Sequence, residues 1–203
     1  MEVYNVTDDA ETFTSNAFLA VGDRTVLVDV GSMPGVVDVV RERVDDVDAV
    51  VLTHQHGDHV GELDAVLDAF EPELLCYDDH PRRTRELHDG DIVEIGDETF
   101  EAVYSPGHAD DHLAFVSERT IFTGDVVTYS DGAFDDGSFG RTDATGQSRE
   151  REIKSIREIL TRLPASVERM YAGHGESFHG DVTAVIERAL ERAERREPKY
   201  PDE

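Results

Sequence analysis

The sequence predicts an α/β protein built as an αββα sandwich: two mixed β-sheets packed face to face, with helices on the outer faces. Three observations carry this. The first half alternates strand-like apolar runs with segments of helical period, and the second half repeats the theme with more strands between its helices. Histidine or aspartate recurs just after a short apolar run and a glycine, where a strand gives way to a loop. The 203 residues are long enough for one domain with a sizeable core, and residues 1–203 are read as that single domain.

Residues 12–21 and 25–30 read as a hairpin turning at Gly22-Asp23. A helix follows over 35–44, with Val36, Val37, Val40 and Val44 on one face. Residues 47–53 form a near-continuous apolar run suited to a central strand. A helix over 59–70 then turns Leu63, Val66, Leu67 and Phe70 inward, with Asp58 at or near its N-cap. Strands are expected at 74–77, 91–95, 99–105, 112–117 and 120–123. The loop 128–146, rich in glycine and aspartate, is too long for a plain connector and is expected to shape a pocket. A helix over 148–163, a strand over 167–171 and a charged helix over 182–195 complete the chain.

The run Thr53-His54-Gln55-His56-Gly57-Asp58-His59 places three imidazoles and a carboxylate directly after the central strand. Those side chains suit a divalent ion such as zinc or iron, and burying them without a positive partner is costly. A solvated His-rich loop is the bland alternative. It fails because His108 in Ser105-Pro-Gly-His108, Asp125 in Phe122-Thr-Gly-Asp125 and His174 in Tyr171-Ala-Gly-His174 add three further candidate ligands at strand ends.

Composition narrows the partners. The chain has 46 acidic against 19 basic residues, a formal charge of −27, and only Lys154 and Lys199 among its bases are lysine. Such a surface repels nucleic acid and anionic lipid, so a small molecule is the expected partner; the sequence leaves oligomeric state open. The acids are spread through patterned apolar segments, which argues for a folded protein adapted to high salt rather than a disordered acidic one. No run approaches the roughly 18–20 apolar residues of a membrane span, and the acidic N-terminus carries no signal-peptide pattern, so a cytoplasmic location is expected. The single cysteine, Cys76, lies in an apolar run and reads as a buried small hydrophobe.

From about Val3 to about His179 the chain resembles the metallo-β-lactamase-fold superfamily, whose pattern is His-x-His-x-Asp-His followed by separated His, Asp and His. The resemblance implies the same αββα fold and a centre of two divalent ions, zinc first among the candidates, with iron or manganese as alternatives. It assigns His54, His56 and His108 to one ion and Asp58, His59 and His174 to the other, with Asp125 bridging. Spacing agrees: His54 and His56, two apart in extended chain, project to one side. Asp58 and Asp125 are further expected to act in catalysis with a metal-bound hydroxide.

The segment Gly137-Ser-Phe-Gly-Arg141-Thr142-Asp143, with Tyr171-Ala-Gly-His174-Gly, resembles the glyoxalase II-like branch, which hydrolyses thioesters. A hydroxyacylglutathione hydrolase-like thioesterase is therefore the expected enzyme. A mononuclear non-haem iron persulfide dioxygenase, using the counterparts of His54, His108 and Asp125, is the runner-up, and a lactonase is a further alternative. Members of the glyoxalase II branch carry a longer basic C-terminal extension that grips glutathione, whereas 29 residues follow His174 here, so another thiol or an ester is as much expected as glutathione. Three residues stand as candidates for orienting a ligand or contacting substrate. Asp29 orients a ligating histidine or is an exposed strand-end acid; Arg141 binds an anion or forms a structural salt bridge; Tyr129 polarises a carbonyl or packs. His112 reads as a satisfied structural histidine, His80 and His88 as solvated, and His179 has no motif support.

Overall fold

A computed structural model describes residues 1–199. One sheet has the order β1 (Glu2–Asn5), β2 (Phe18–Val21), β3 (Val26–Val28), β4 (Ala49–Val51), β5 (Glu73–Cys76), β6 (Arg85–Glu86). The first three strands run antiparallel to their neighbours and the last four parallel. In the second sheet, β7 (Ile92–Ile95), β8 (Glu98–Tyr104), β9 (Leu113–Val116) and β10 (Thr120–Gly124) form an antiparallel meander. There β13 (Arg169–Ala172) adds parallel to β10, and β14 (Phe178–His179) closes the edge. A small pair, β11 (Val127–Thr128) and β12 (Ser138–Phe139), stands apart.

Alternation along the strands builds three apolar layers. Val26, Val28, Ala49, Val51 and Leu75 from the first sheet meet Phe100, Phe115 and Phe122 from the second, forming the layer between the sheets. The intervening Leu27, Val50 and Leu74 face outward onto α1 (Val36–Arg41) and α3 (Leu63–Phe70), which supply Val36, Val40, Leu63 and Val66. On the other side Val103, Ala114, Ile121 and Met170 pack under α4 (Arg149–Arg162) and α5 (Val182–Arg195). The central strands β3, β4, β9 and β10 are buried on both faces, which is why they read as near-continuous apolar runs.

Three local expectations change. The helix expected over 59–70 is two: α2 (Gly57–Val60) and α3, broken at Gly61-Glu62. The His59 carbonyl accepts from the Val30 and Gly31 N–H groups at 3.0 and 3.1 Å instead of continuing the helical ladder, and Glu62 N–H donates to Gly31 O at 3.0 Å. Asp58 is consequently inside the first turn of α2, with His56 at the N-cap. The strand expected over 12–21 begins only at Phe18. Its first part is loop because Ser15 N–H and Asn16 N–H donate to Asp58 O and Gly173 O, at 3.2 and 2.7 Å, rather than to a strand. The loop expected over 128–146 contains β12, and short β1, β6 and β14 add to the sheet edges.

Candidate metal centre

Four loops at one edge of the sandwich deliver the polar residues to a single place. Residues 54–59 follow β4, His108 follows β8, Asp125 follows β10 and His174 follows β13. His54, His56 and His108 form one group whose ligand atoms all lie within 4.8 Å of one another. Asp58, His59 and His174 form a second, and Asp125 joins His54 and His59 in a third. His56 Nδ1 is 3.1 Å from His54 Nε2 and 2.9 Å from His108 Nε2. Asp125 Oδ2 is 3.4 Å from both His108 Nε2 and His174 Nε2, and Asp125 Oδ1 is 3.3 Å from His59 Nε2. Asp58 Oδ2 lies 3.1 Å from His174 Nε2.

The far side of each buried imidazole shows why these atoms face inward. Asp29 accepts from Thr53 N–H at 2.8 Å and from the Thr53 hydroxyl at 2.7 Å. It also lies 2.8 Å from His59 Nδ1, which donates to it. With its proton committed to Asp29, Thr53 Oγ1 accepts from His54 Nδ1–H at 3.1 Å. His108 Nδ1–H donates to Arg141 O at 2.9 Å. These bonds commit each Nδ1 outward, so that Nε2 of His54, His59 and His108 is the nitrogen each ring turns to the centre. Asp29 is thus buried and tied to two of the histidines, which removes the exposed-acid alternative.

The donor set fits divalent cations. Among the described residues, His59 Nε2 and Asp125 Oδ1 are buried without a hydrogen-bond partner, their mutual 3.3 Å contact lacking hydrogen-bond geometry. Buried lone pairs at this spacing repel unless a cation or proton lies among them. Glycine makes room for it: a Cβ on Gly173 would lie 2.1 Å from Asp125 Oδ1 and 2.8 Å from His59 Cε1.

The two halves differ in charge. Burial pushes the His54 and His108 pKa values down, and neighbouring histidines add to this, so those two rings are neutral. In the other half burial also opposes protonation of His59, but the Asp125 and Asp29 carboxylates outweigh it and hold its pKa well above the usual imidazole value. Burial opposes His174 protonation too, yet Asp125 and Asp58 raise its pKa to about 9. Asp125 is held well below the usual carboxylate range; its desolvation is overcome by His59 and His174. Protons occupy this half until a cation displaces them, so ion uptake there releases protons.

The centre forms the floor of a cavity of about 710 Å³, lined also by Phe13, Arg141 and Lys199. Phe13 is 79% exposed and stacks on the His174 ring at 5.2 Å. Arg141 pairs with Asp143 through two hydrogen bonds, the salt-bridge alternative, while its side chain still borders the cavity. Tyr129 is outside the cavity lining and packs on Phe178 at 4.6 Å, the packing alternative. His112 is buried and satisfied. Its Nε2 accepts from Asp125 N–H at 3.0 Å, so Nδ1–H donates to Ser105 Oγ at 2.8 Å. His88 is exposed, and His179 stands edge-on to Tyr171, away from the centre.

Sequence reasoning missed Glu152 and Lys199. Glu152 is fully buried, accepting from His108 N–H and Gly140 N–H at 2.8 and 3.0 Å, and desolvation raises its pKa to about 8 against those two bonds. The signal was present: Glu152, Ser155, Ile156 and Ile159 share the i, i+3, i+4, i+7 stripe that faces the core. Lys199 Nζ reaches across to Phe139 O at 2.7 Å and Asp131 Oδ2 at 2.9 Å, fastening the 128–146 loop.

Residues 10–80 match the sequence model of the metallo-beta-lactamase superfamily. The hydroxyacylglutathione hydrolase of Hydrogenovibrio crunogenus is 32% identical over 160 residues, 76% of this chain and 55% of that protein. The atrochrysone carboxyl ACP thioesterase nsrC of Aspergillus novofumigatus is 36% identical over 124 residues, 56% of this chain and 38% of that protein. The chain therefore spans about half the length, or less, of these curated relatives. Among solved structures, ETHE1 from Myxococcus xanthus superposes with a TM-score of 0.74 at 20% identity, covering 100% of this chain and 94% of that one, a likeness of fold. No helix among the described residues is long and apolar enough to cross a membrane. Motif, fold and the matched sequence agree that the chain carries a metallo-beta-lactamase superfamily domain.

Proposed function

We propose that the chain, acting as one domain over residues 1–203, is a dinuclear metal-dependent hydrolase that cleaves a thioester or ester of a small molecule. The observation that carries this is the convergence of seven histidine and aspartate side chains on one centre beneath the cavity, in two triads joined by Asp125. His54, His56 and His108 would hold one ion, Asp58, His59 and His174 the other, with Asp125 shared. Zinc is the first candidate, since it suits imidazole and carboxylate donors; iron and manganese are alternatives. When bound, such ions supply water of lowered pKa and polarise an acyl carbonyl.

The protein's own groups do the remainder. Asp29 and the Arg141 carbonyl hold the imidazoles in the tautomers that point Nε2 inward. Asp58, half-buried at the cavity floor, takes the proton given up by the attacking water and can return it to the departing thiolate or alkoxide. No serine or cysteine nucleophile is required, so acid and thiol (or alcohol) form without an acyl-enzyme. Relatives named as a hydroxyacylglutathione hydrolase and an acyl-carrier thioesterase favour a thioester. The charge of −27 and the scarcity of lysine support a high-salt setting and argue against nucleic acid.

The runner-up is a mononuclear iron dioxygenase acting on a persulfide. The residues it would use also adjoin: His108 Nε2 lies 3.4 Å from Asp125 Oδ2, and His54 is grouped with each of them, a two-histidine, one-carboxylate set. A panel of thioesters, esters and lactones assayed with metal restored and with mass analysis of the protein tests the proposal. Release of free thiol without a covalent adduct is expected; a trapped acyl-protein, or no turnover on any substrate, would refute it.

A further inference from the structure

Glu152 is a buried acid on the core face of a helix, where an apolar side chain would pack without any cost of desolvation. Its two oxygens are divided between two segments. Oε2 accepts from the N–H of His108, and Oε1 accepts from the N–H of Gly140. The residue after Gly140 is Arg141, whose carbonyl accepts the His108 Nδ1–H bond at 2.9 Å. One carboxyl group therefore holds both the backbone that carries the imidazole and the segment that aims it. Two glycines close around it. A Cβ on Gly107 would lie 2.4 Å from Glu152 Oε2, and one on Gly140 would lie 2.5 Å from Oε1 and 3.1 Å from His108 Cβ. Neither the two anchored segments nor the helix can shift without moving the imidazole.

We propose that Glu152 is a positioning residue for His108, setting the ring so that its Nε2 converges with His54 Nε2 and His56 Nδ1. This rests on the reading of those three histidines as the holders of one ion. A purely structural staple between α4 and the loops would stabilise the fold equally but would leave ion affinity alone, which separates the two roles.

Glu152→Gln is nearly isosteric but offers one acceptor oxygen, so one of the two N–H bonds is lost. Metal-free protein is titrated with cobalt(II), followed by its absorption spectrum and by calorimetry. Wild type should take two ions, and the glutamine variant should lose roughly 10–100-fold affinity at one of them with the second unchanged. Unchanged affinity at both sites, whatever the melting temperature, overturns the role of Glu152 while leaving the metal reading intact. Wild type that binds no cobalt removes both. Should the variant fail to fold, imidazole nitrogen NMR of metal-free wild type decides. His108 is expected as one fixed Nδ1–H tautomer, and an Nε2–H tautomer or an exchanging ring overturns the proposal.

Discussion

Gly173 is the position where a single methyl group tests the geometry of the centre. Its backbone is pinned on both sides, with N–H donating to Gly124 O at 2.8 Å and C=O accepting from Asn16 N–H at 2.7 Å. In Gly173→Ala the chain therefore cannot retreat, and the new Cβ meets Asp125 Oδ1 at 2.1 Å and His59 Cε1 at 2.8 Å. Clearing that overlap requires the carboxylate to move by about 1 Å, a displacement of the size that costs on the order of 100-fold in rate. Overpacking of this kind destabilises by about 1–3 kcal/mol, which in a chain of this length lowers the melting temperature by very roughly 2–12 °C. Gly57→Ala is the control, since a Cβ there meets nothing within 4 Å and its φ is not positive. Metal-free melts, cobalt(II) affinity and thioester turnover on both variants form the assay. Wild-type affinity and turnover in Gly173→Ala would refute the placement of Asp125 against His59.

Other outcomes follow from the same contacts. His54→Ala or His108→Ala should abolish turnover, whereas His59→Ala or His174→Ala should cripple a dinuclear hydrolase and spare a mononuclear dioxygenase; oxygen-electrode and thiol-release assays distinguish these. Asp29→Asn should weaken ion binding by about 10–100-fold in an equilibrium chelator competition, because it loosens His59 directly and His54 through Thr53. Burial would raise the Asp131 pKa, but the Lys199 ammonium outweighs it and lowers the value to about 2. A depressed carboxylate contributes stability that is present above its unfolded pKa, near 3.9, and lost as pH falls towards 2. Asp131→Asn should therefore cost on the order of 3 kcal/mol near neutrality by removing the Asp131 charge from the buried pair, with the gap closing in acid denaturation below that range. With a formal charge of −27, the metal-loaded protein should melt higher as potassium chloride rises from about 0.1 M to several molar; a flat or falling midpoint contradicts the high-salt reading.

What the sequence made legible was local. His54, His56, Asp58 and His59 sit in one six-residue run, and β4 before them is apolar on both faces, so strand, strand end and candidate ligands are read together. The separated His108, Asp125 and His174 each follow a strand and a glycine, a signal carried within four residues. What stayed hidden depends on partners remote in sequence. Glu152 reads as one more acid on a charged helix because its partner His108 is 44 residues away. Lys199 reaches Phe139 across 60 residues. The break between α2 and α3 arises from Val30 and Gly31 capturing the His59 carbonyl, and residues 12–16 are loop because their donors go to Asp58 and Gly173. Short edge strands such as β6 and β14 exist by virtue of their neighbours' ladders, not their own two-residue propensity.

The dinuclear hydrolase reading stands or falls on the number of ions that turnover requires. Metal-free protein in high salt should be titrated with zinc while thioester cleavage is followed in the same cuvette. Activity that appears only as the second equivalent binds, with no oxygen consumed, is the expected result. Full activity at one equivalent of iron, with oxygen consumed on a persulfide and no thioester cleaved, would contradict it.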